Sequence, residues 1–360
     1  MFQILATLVL VGLTTTTRAN SDVTFLTCPN YTAPFAAAIG VANTLQSMGY
    51  ADILGIVSGE VPSHFDGLPD VTSKYSLPAI DAINTWYCHP DIPLAQTNEL
   101  TSAVREPTVP EDVTEYITNL SDPTQFCQDF NRKNVKDPVE FYTDVLTKAE
   151  NKSVTIVAIG FLTNLHNLYY SSGGPALIEA KVKELVVQGG SCNVTSNPHG
   201  AGYNLLYDLP SAEVVTKWPS PITFFPGFIA GQVTGIKSEL NISDKSPVRF
   251  VYETANFTGD FKFGPHDILA TYYAILGLSD GSFTHGNAND TGGLQFVPNP
   301  KSPVAVKEDT VWNYAVTPPA SQHYLILNNT IESIANKING LISCYGKEQP
   351  VCPGQKVCTK

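Results

Sequence analysis

The residues best suited to chemistry stand together in the second half of the chain, as His266 and Asp267 within Gly264-Pro-His-Asp-Ile-Leu-Ala270. An imidazole beside a carboxylate can exchange protons with a substrate, and the carboxylate can also bind a cation. Simpler roles are open for both residues. Asp267 can cap the predicted helix at 268–277, where a carboxylate stabilises exposed amides, and His266 can be purely structural.

Cys28 and the Gly189-Gly190 pair are two further candidates, each following a predicted strand. Cys28 can be a thiolate nucleophile near a helix N-terminus, or it can be a buried inert cysteine or the disulfide partner of Cys192. The glycine pair can cradle a phosphate or allow close packing of the backbone. Asp22 is the only acid between residues 20 and 51, so this region offers no group of carboxylates.

Strands and helices alternate along the chain, which predicts one α/β domain whose mainly parallel, Rossmann-like sheet is flanked by helices. Residues 101–135, which include several Pro and Asp, read as an inserted surface loop. We predict strands at 22–27, 51–58, 92–94, 154–159, 184–187 and 222–225, and helices at 34–49, 76–87, 137–150, 162–170, 177–184, 208–217 and 267–277.

Ligands of such sheets bind beyond the carboxyl ends of the strands. This rule places four segments around one predicted crevice: Thr27–Thr32, Ser58–Glu60, Gly160–Asn164 and Gly189–Ser191.

Three segments resemble the inosine/uridine-preferring nucleoside hydrolase family, in the family's order and at similar separations: 153–165, 181–190 and 264–270. Residues 82–93 (Ala-Ile-Asn-Thr-Trp-Tyr-Cys-His-Pro-Asp-Ile-Pro) are similar to a secreted or microbial subgroup. The resemblance covers most of residues 22–343. It implies a site in which calcium holds the ribose diol and a water, and an aspartate deprotonates that water.

Four residues match functional positions of the family. The resemblance implies that Asp267 is a metal ligand, that His266 is the catalytic histidine and that the backbone carbonyl of Thr163 touches the ion. Asn204 matches a ribose-binding asparagine, although a lone asparagine also commonly satisfies loop backbone.

The acidic positions of the family are not kept. The first-strand pattern D-x-D-x-x-x-D-D falls on Leu26, Cys28, Thr32 and Ala33, and the ribose-binding glutamate falls on Gly202. Calcium takes six to eight oxygen ligands, and the resemblance leaves Asp267 as the only charged one.

Two functions follow from this mixture. The first is a non-catalytic homologue without a cofactor, which binds an unknown protein or a small molecule such as a nucleoside. The alternative is an active, calcium-dependent N-ribosyl hydrolase with a rearranged site. Acids from the irregular loop would have to reach the crevice in that case, and the candidates are Glu111, Asp112 and Asp129. A carbohydrate-binding role has no sequence signature here.

Composition and targeting signals predict a secreted, extracellular glycoprotein. Residues 1–19 resemble a signal peptide, residues 20–345 form the predicted domain, and residues 346–360 form a cysteine-containing tail. The net charge of −12 argues against nucleic acid as a partner, and no segment is long and apolar enough to span a membrane. Seven cysteines favour disulfides, above all one that involves the tail. Eight glycosylation sequons occur, at Asn30, Asn119, Asn151, Asn193, Asn241, Asn256, Asn289 and Asn328.

Three structural expectations concern the former metal pocket. It should be partly apolar, and Asp267 should accept hydrogen bonds from backbone amides or from Thr163 or Asn204, because a buried unpaired carboxylate is costly. No tightly held calcium should copurify. Asn30 or Asn193 should carry a glycan at the rim of the crevice.

Overall fold

The structure, a computed structural model, confirms a single α/β unit with a central, mostly parallel sheet flanked by helices. It describes residues 4–5, 21–26, 33–59, 69–96, 117–192, 203–206, 208–227, 229, 242–254, 265–287, 289, 291–300 and 308–343.

The main sheet is built from strands that are mostly parallel. In chain order the strands are β1 (Ile4–Leu5), β2 (Ser21–Leu26), β3 (Ala51–Ser58), β4 (Leu94–Gln96), β5 (Val154–Ala158), β6 (Val182–Gln188), β7 (Ile222–Phe225), β8 (Phe283–His285), β9 (Gly293–Pro298), β10 (Glu308–Asn313) and β11 (Gln322–Leu327). The sheet runs β4-β3-β2-β5-β6-β7-β11-β8, with β11 and β8 antiparallel, and β9 pairs with β10 in a separate ribbon. Strands β3 and β4 lie on one side of β2, and strands β5 to β7 lie on its other side. Strands β2 to β6 therefore end at one common edge.

The central strands β5 and β7 are buried along their whole length and mainly apolar, because helices cover both faces of the sheet. All five residues of β5 are buried, and so are all four residues of β7. The predicted strands at 51–58 and 222–225 have the observed bounds. The short strand predicted at 92–94 is wrong by two residues, since Pro93 donates no backbone hydrogen bond and pairing begins at Leu94.

The helices lie close to the predicted positions, with differences that have local causes. They are α1 (Ala33–Ser47), α2 (Pro69–Trp86), α3 (Pro138–Lys148), α4 (Thr163–Tyr170), α5 (Gly174–Lys181), α6 (Tyr203–Leu206), α7 (Leu209–Ala212), α8 (Pro247–Thr254), α9 (His266–Leu276) and α10 (Ile331–Ser343). Helix α2 begins seven residues before the predicted start and contains Pro78 in its interior. The helix predicted over 208–217 is instead α7 followed by a 3-10 turn, Glu213–Thr216, in which Val214 and Val215 are β-branched.

Helix α10 ties the end of the described chain to its beginning. Thr44 of α1 donates its hydroxyl to the carbonyl of Leu341 at 3.1 Å, and Tyr87 donates to the carbonyl of Ile342 at 3.1 Å. The phenol of Tyr87 reaches this carbonyl by passing over Gly40. A Cβ atom on Gly40 would lie 2.7 Å from the Tyr87 hydroxyl, so the close approach requires glycine there.

The cysteines and sequons divide between described and undescribed parts of the chain. Cys88 and Cys127 are disulfide-bonded, whereas Cys192 is buried and free. The suggested pairing of Cys192 with Cys28 is therefore wrong. Asn151, Asn289 and Asn328 are exposed and Asn119 is half-buried. The other four sequons, including both predicted rim sites, lie outside the described residues: Asn30, Asn193, Asn241 and Asn256.

The first described segment pairs with the central sheet, and the described helices are unlike membrane spans. Ile4–Leu5 pair in parallel with Thr155 and Ile156 of β5, and the cleavage expected after residue 19 stays a prediction. Within the described ranges, none of the helices combines the length and the apolar character that a membrane span requires.

Candidate functional site: a crevice at the carboxyl edge of the sheet

Residues from four separate segments meet where β3, β4, β5 and β6 end. Ser58 and Gln96 are register partners at the ends of β3 and β4. Asn164, in the first turn of α4, donates its side-chain amide to the carbonyl of Ser58 at 3.4 Å. Gln188 ends β6 and is followed by the glycine pair, whose positive φ angles are 142° and 91°. Thr27–Thr32 and Glu60, also expected here, lie outside the described residues.

Asp267 is the one carboxylate among the four residues that match functional positions of the family. It lies in the first turn of α9 and is only 7% exposed. Burial alone raises the pKa of its carboxyl to about 7. Among the described residues no hydrogen bond to this carboxylate is found, so the expectation that Thr163 or Asn204 would donate to it is wrong.

Asp267 does not cap its helix either. The residue at the cap position of α9 is Pro265, and this helix start has no side-chain cap. Asp267 instead occupies the second helical position, beside His266 at the first. Its charge acts on Tyr252 of α8, whose buried phenol has a raised pKa, first through burial and then through the charge of Asp267.

Thr163 and Asn204 are both occupied elsewhere in the site. The Thr163 hydroxyl donates to a carboxylate oxygen of Asp208 at 2.5 Å. Asn204 donates its amide to the backbone carbonyl of Gln188 at 3.2 Å and to the Gln188 side-chain oxygen at 2.5 Å. These contacts therefore tie the start of α4 to Asp208, and α6 to the end of β6.

Asp208 is a site residue that sequence reasoning missed. It is 1% exposed, and its carboxylate turns toward Thr163 rather than capping α7. A polar side chain four residues after Asn204 and just before a short helix was the available signal, but helix capping explained it equally well.

The residues present do not fit a calcium ion. Of the four positions that match the family's first-strand acids, Leu26 ends β2 and Ala33 begins α1, while Cys28 and Thr32 lie outside the described residues. The described part of the chain contains no group of three His, Cys, Asp or Glu residues that could hold a metal ion. One carboxylate does not replace the several charged oxygens that a calcium site uses.

The loop acid Asp129 belongs to a different cavity. This cavity, of about 350 Å³, lies beside Pro90–Leu94 at the start of β4 and also contains Asp81 and Asp91. The backbone N–H of Asp129 donates to Asp81 at 3.0 Å. Asp129 therefore does not supply the crevice with an acid, and Glu111 and Asp112 lie outside the described residues.

The fold and this crevice define a protein built like a nucleoside hydrolase, and the comparisons agree. The family model described as inosine-uridine preferring nucleoside hydrolase matches residues 79–313. The chain belongs to this family. A comparison with curated proteins finds no match.

Several solved structures share the fold at low sequence identity. The nucleoside hydrolase from Bacillus anthracis is 17% identical with a TM-score of 0.61, over 89% of this chain and 97% of that one. An inosine-guanosine nucleoside hydrolase is 14% identical with a TM-score of 0.64, over 89% and 98%. The type III effector XopQ, solved with adenosine diphosphate ribose, is 12% identical with a TM-score of 0.58, over 89% and 92%.

Proposed function

We propose that this chain is a secreted, non-catalytic nucleoside hydrolase-like glycoprotein that binds a nucleoside-like small molecule or a protein partner. The observation that carries the proposal is the loss of charge at the metal positions. Leu26, Cys28, Thr32 and Ala33 stand where the family pattern has four aspartates, and Asp267 is left.

Hydrolysis of an N-glycosidic bond needs an activated water, and this site has few means to produce one. A metal lowers the pKa of its bound water, and a carboxylate removes the proton. Asp267 is itself shielded from solvent, and this burial raises the pKa of its carboxyl to about 7. His266 remains as an acid or base beside it, but a single histidine supplies neither the ion nor the second carboxylate.

A binding role is supported by the preserved architecture of the crevice. The glycine pair after β6, the Asn204–Gln188 contact and the Thr163–Asp208 contact keep its walls in place. The similar effector structure was solved with adenosine diphosphate ribose, which favours a ligand that carries a ribosyl group.

Secretion is supported by the apolar segment in residues 1–19 and by two disulfide-bonded cysteines, Cys88 and Cys127. Exposed sequons at Asn151, Asn289 and Asn328 are accessible to glycosylation.

The deciding experiment incubates the purified secreted protein with inosine and with uridine, each in 1 mM calcium (about the concentration for weak extracellular sites). Reducing sugar is measured beside a His266→Ala control. We expect the same background release from both proteins. Release by the wild type above His266→Ala would reject the non-catalytic function.

One observation favours the alternative of an active enzyme. Asp208 is a buried carboxylate within hydrogen-bonding distance of Thr163, and it is an acid that the family pattern did not supply. Activity that depends on Asp208 and not on Thr163 would identify it as the base of a rearranged site. The same assay with Asp208→Asn and Thr163→Val separates the two.

A further inference from the structure

Two buried side-chain amides at the carboxyl edge of the sheet each have one atom without a hydrogen-bond partner. Gln96 is 3% exposed and Asn164 is 1% exposed. The unpaired atoms are Nε2 of Gln96 and Oδ1 of Asn164. Buried polar atoms are nearly always paired in folded proteins, so an unpaired one calls for an explanation such as a missing ligand.

The orientation of the Gln96 amide follows from its neighbour. Nη1 of Arg132 donates to Oε1 of Gln96 at 3.4 Å. A guanidinium is a donor only, so the oxygen of the amide must face it. The NH₂ group of Gln96 therefore points away from Arg132 as a free donor.

The orientation of the Asn164 amide is fixed in the same way. Its Nδ2 faces the backbone carbonyl of Ser58 at 3.4 Å. A carbonyl only accepts, so the NH₂ group must face it, and Oδ1 is left as a free acceptor.

Ser58 brings the two amides together. It is the register partner of Gln96 across the β3–β4 pair, and its carbonyl is the atom that holds Asn164. One free donor and one free acceptor thus lie close to Ser58 at the end of β3.

We propose that Gln96 and Asn164 form a subsite for an uncharged amide group of a bound ligand. The ligand carbonyl accepts from Nε2 of Gln96, and the ligand N–H donates to Oδ1 of Asn164. This inference rests on the proposed function, because it places a small molecule in the inherited crevice. It adds the chemical group by which that molecule is recognised.

Two sources share this chemistry. One is the lactam edge of a nucleobase, as in uridine, and the other is a free carboxamide, as in nicotinamide. An anionic group brings no donor for Oδ1 of Asn164, so a phosphate or carboxylate does not satisfy the subsite.

The test is calorimetric titration of the full secreted protein in EDTA, which removes any contribution from calcium. The probes are uridine and N3-methyluridine, and nicotinamide and N,N-dimethylnicotinamide. Methylation removes the N–H and leaves the carbonyl in each pair.

Gln96→Glu is the matched variant. It keeps an oxygen toward Arg132 and replaces the free donor by a second carboxylate oxygen, which only accepts. Gln125→Glu makes the same change in an exposed turn, where Gln125 contacts Asp122, and serves as the control.

We expect uridine or nicotinamide to bind the wild type, and to bind Gln96→Glu about tenfold more weakly, the usual effect of losing one hydrogen bond. The methylated probe should lose a similar factor, and Gln125→Glu should match the wild type. Binding by uridine alone identifies the lactam source, and binding by nicotinamide alone identifies the carboxamide source.

Equal affinity for Gln96→Glu, or for the methylated and unmethylated probes, would overturn the subsite and leave an ordered water as the occupant of these two atoms. If Gln96→Glu fails to fold, the methylated probes on the wild type still decide. Binding of D-ribose without either amide probe would reject the subsite while the proposed function stands. Hydrolysis of uridine would reject the proposed function, and KM values of Gln96→Glu would then judge the subsite.

Discussion

Asp267 at the start of α9 and Asp81 beside the β4 cavity are two buried carboxylates with the same raised pKa of about 7, and burial is the main cause in both. Their surroundings differ. Asp81 is held by the backbone N–H groups of Asp129 and Phe130, whereas no described residue donates to Asp267. The backbone contacts give Asp81 a structural role, whereas Asp267 is buried without a hydrogen-bond partner among the described residues.

The largest difference between the two carboxylates is expected in the free energy of unfolding when the Asp81 side chain is removed by substitution. Asp81→Ala leaves two backbone N–H groups unpaired, and each unpaired buried group costs about 1–3 kcal/mol. We expect a loss of about 1–3 kcal/mol in total, because the adjoining cavity admits water to part of this region. Urea unfolding followed by circular dichroism measures it. A loss below about 0.5 kcal/mol would show that these backbone bonds contribute nothing.

The raised pKa of Asp81 should also make the free energy of unfolding depend on pH. Its folded pKa of about 7 lies above its ordinary value of 3.8, so the folded state binds this proton more tightly. The stabilisation is complete below pH 3.8 and is lost as the pH rises through 7. Its slope reaches at most about 1.4 kcal/mol per pH unit.

Asp81→Asn should therefore flatten the fall in unfolding free energy between pH 5 and pH 8. Asp244→Asn, at an exposed position, is the control and should leave the slope unchanged. A wild-type curve that rises with pH over this range, with Asp81→Asn parallel to it, would contradict the assignment.

Asp267→Asn is expected to have a smaller effect of the opposite sign. The substitution removes a buried charge that lacks a described partner, so stability at pH 8 should be unchanged or higher, by less than about 1 kcal/mol. The same urea titration measures it. A loss of about 3 kcal/mol or more would mean that Asp267 is paired after all.

Calcium should have the smallest effect. Since the described residues include no group of three His, Cys, Asp or Glu that could hold a metal ion, 1 mM calcium should leave the melting temperature unchanged relative to EDTA, and elemental analysis after dialysis should find no stoichiometric calcium. A calcium concentration of 1 mM is about the concentration that weak extracellular calcium sites need. A rise in melting temperature that Asp267→Asn abolishes would restore a metal role for this residue.

The central sheet was the most predictable part of the molecule, because a buried parallel strand is a short apolar run between turn residues. Val154–Ala158 and Ile222–Phe225 show this directly. Strands β8 to β11 were missed since their residues are only partly buried, as in Gln322–Leu327. β11 also pairs with β7, about a hundred residues earlier in the chain, and no local pattern reports that pairing.

The candidate site was less predictable than the fold. The family pattern located Asp267, Thr163 and Asn204, but their hydrogen bonds depend on residues from distant segments. Gln188 carries no signal of its own in the sequence, and the position of Asp208 before a short helix is explained equally well by helix capping. The free state of Cys192 could not be read from its spacing, because sequence alone does not give disulfide connectivity.

The contact between α1 and α10 has a consequence for the order of biosynthesis. Thr44 is bonded to a residue 297 positions later, and a ribosome needs roughly 15–60 s to add that many residues. During this interval α1 of the nascent chain is without α10, the helix against which it packs in the folded protein. A chain truncated before residue 331 would therefore lack α10 and with it the two hydrogen bonds that Thr44 and Tyr87 donate to its carbonyls.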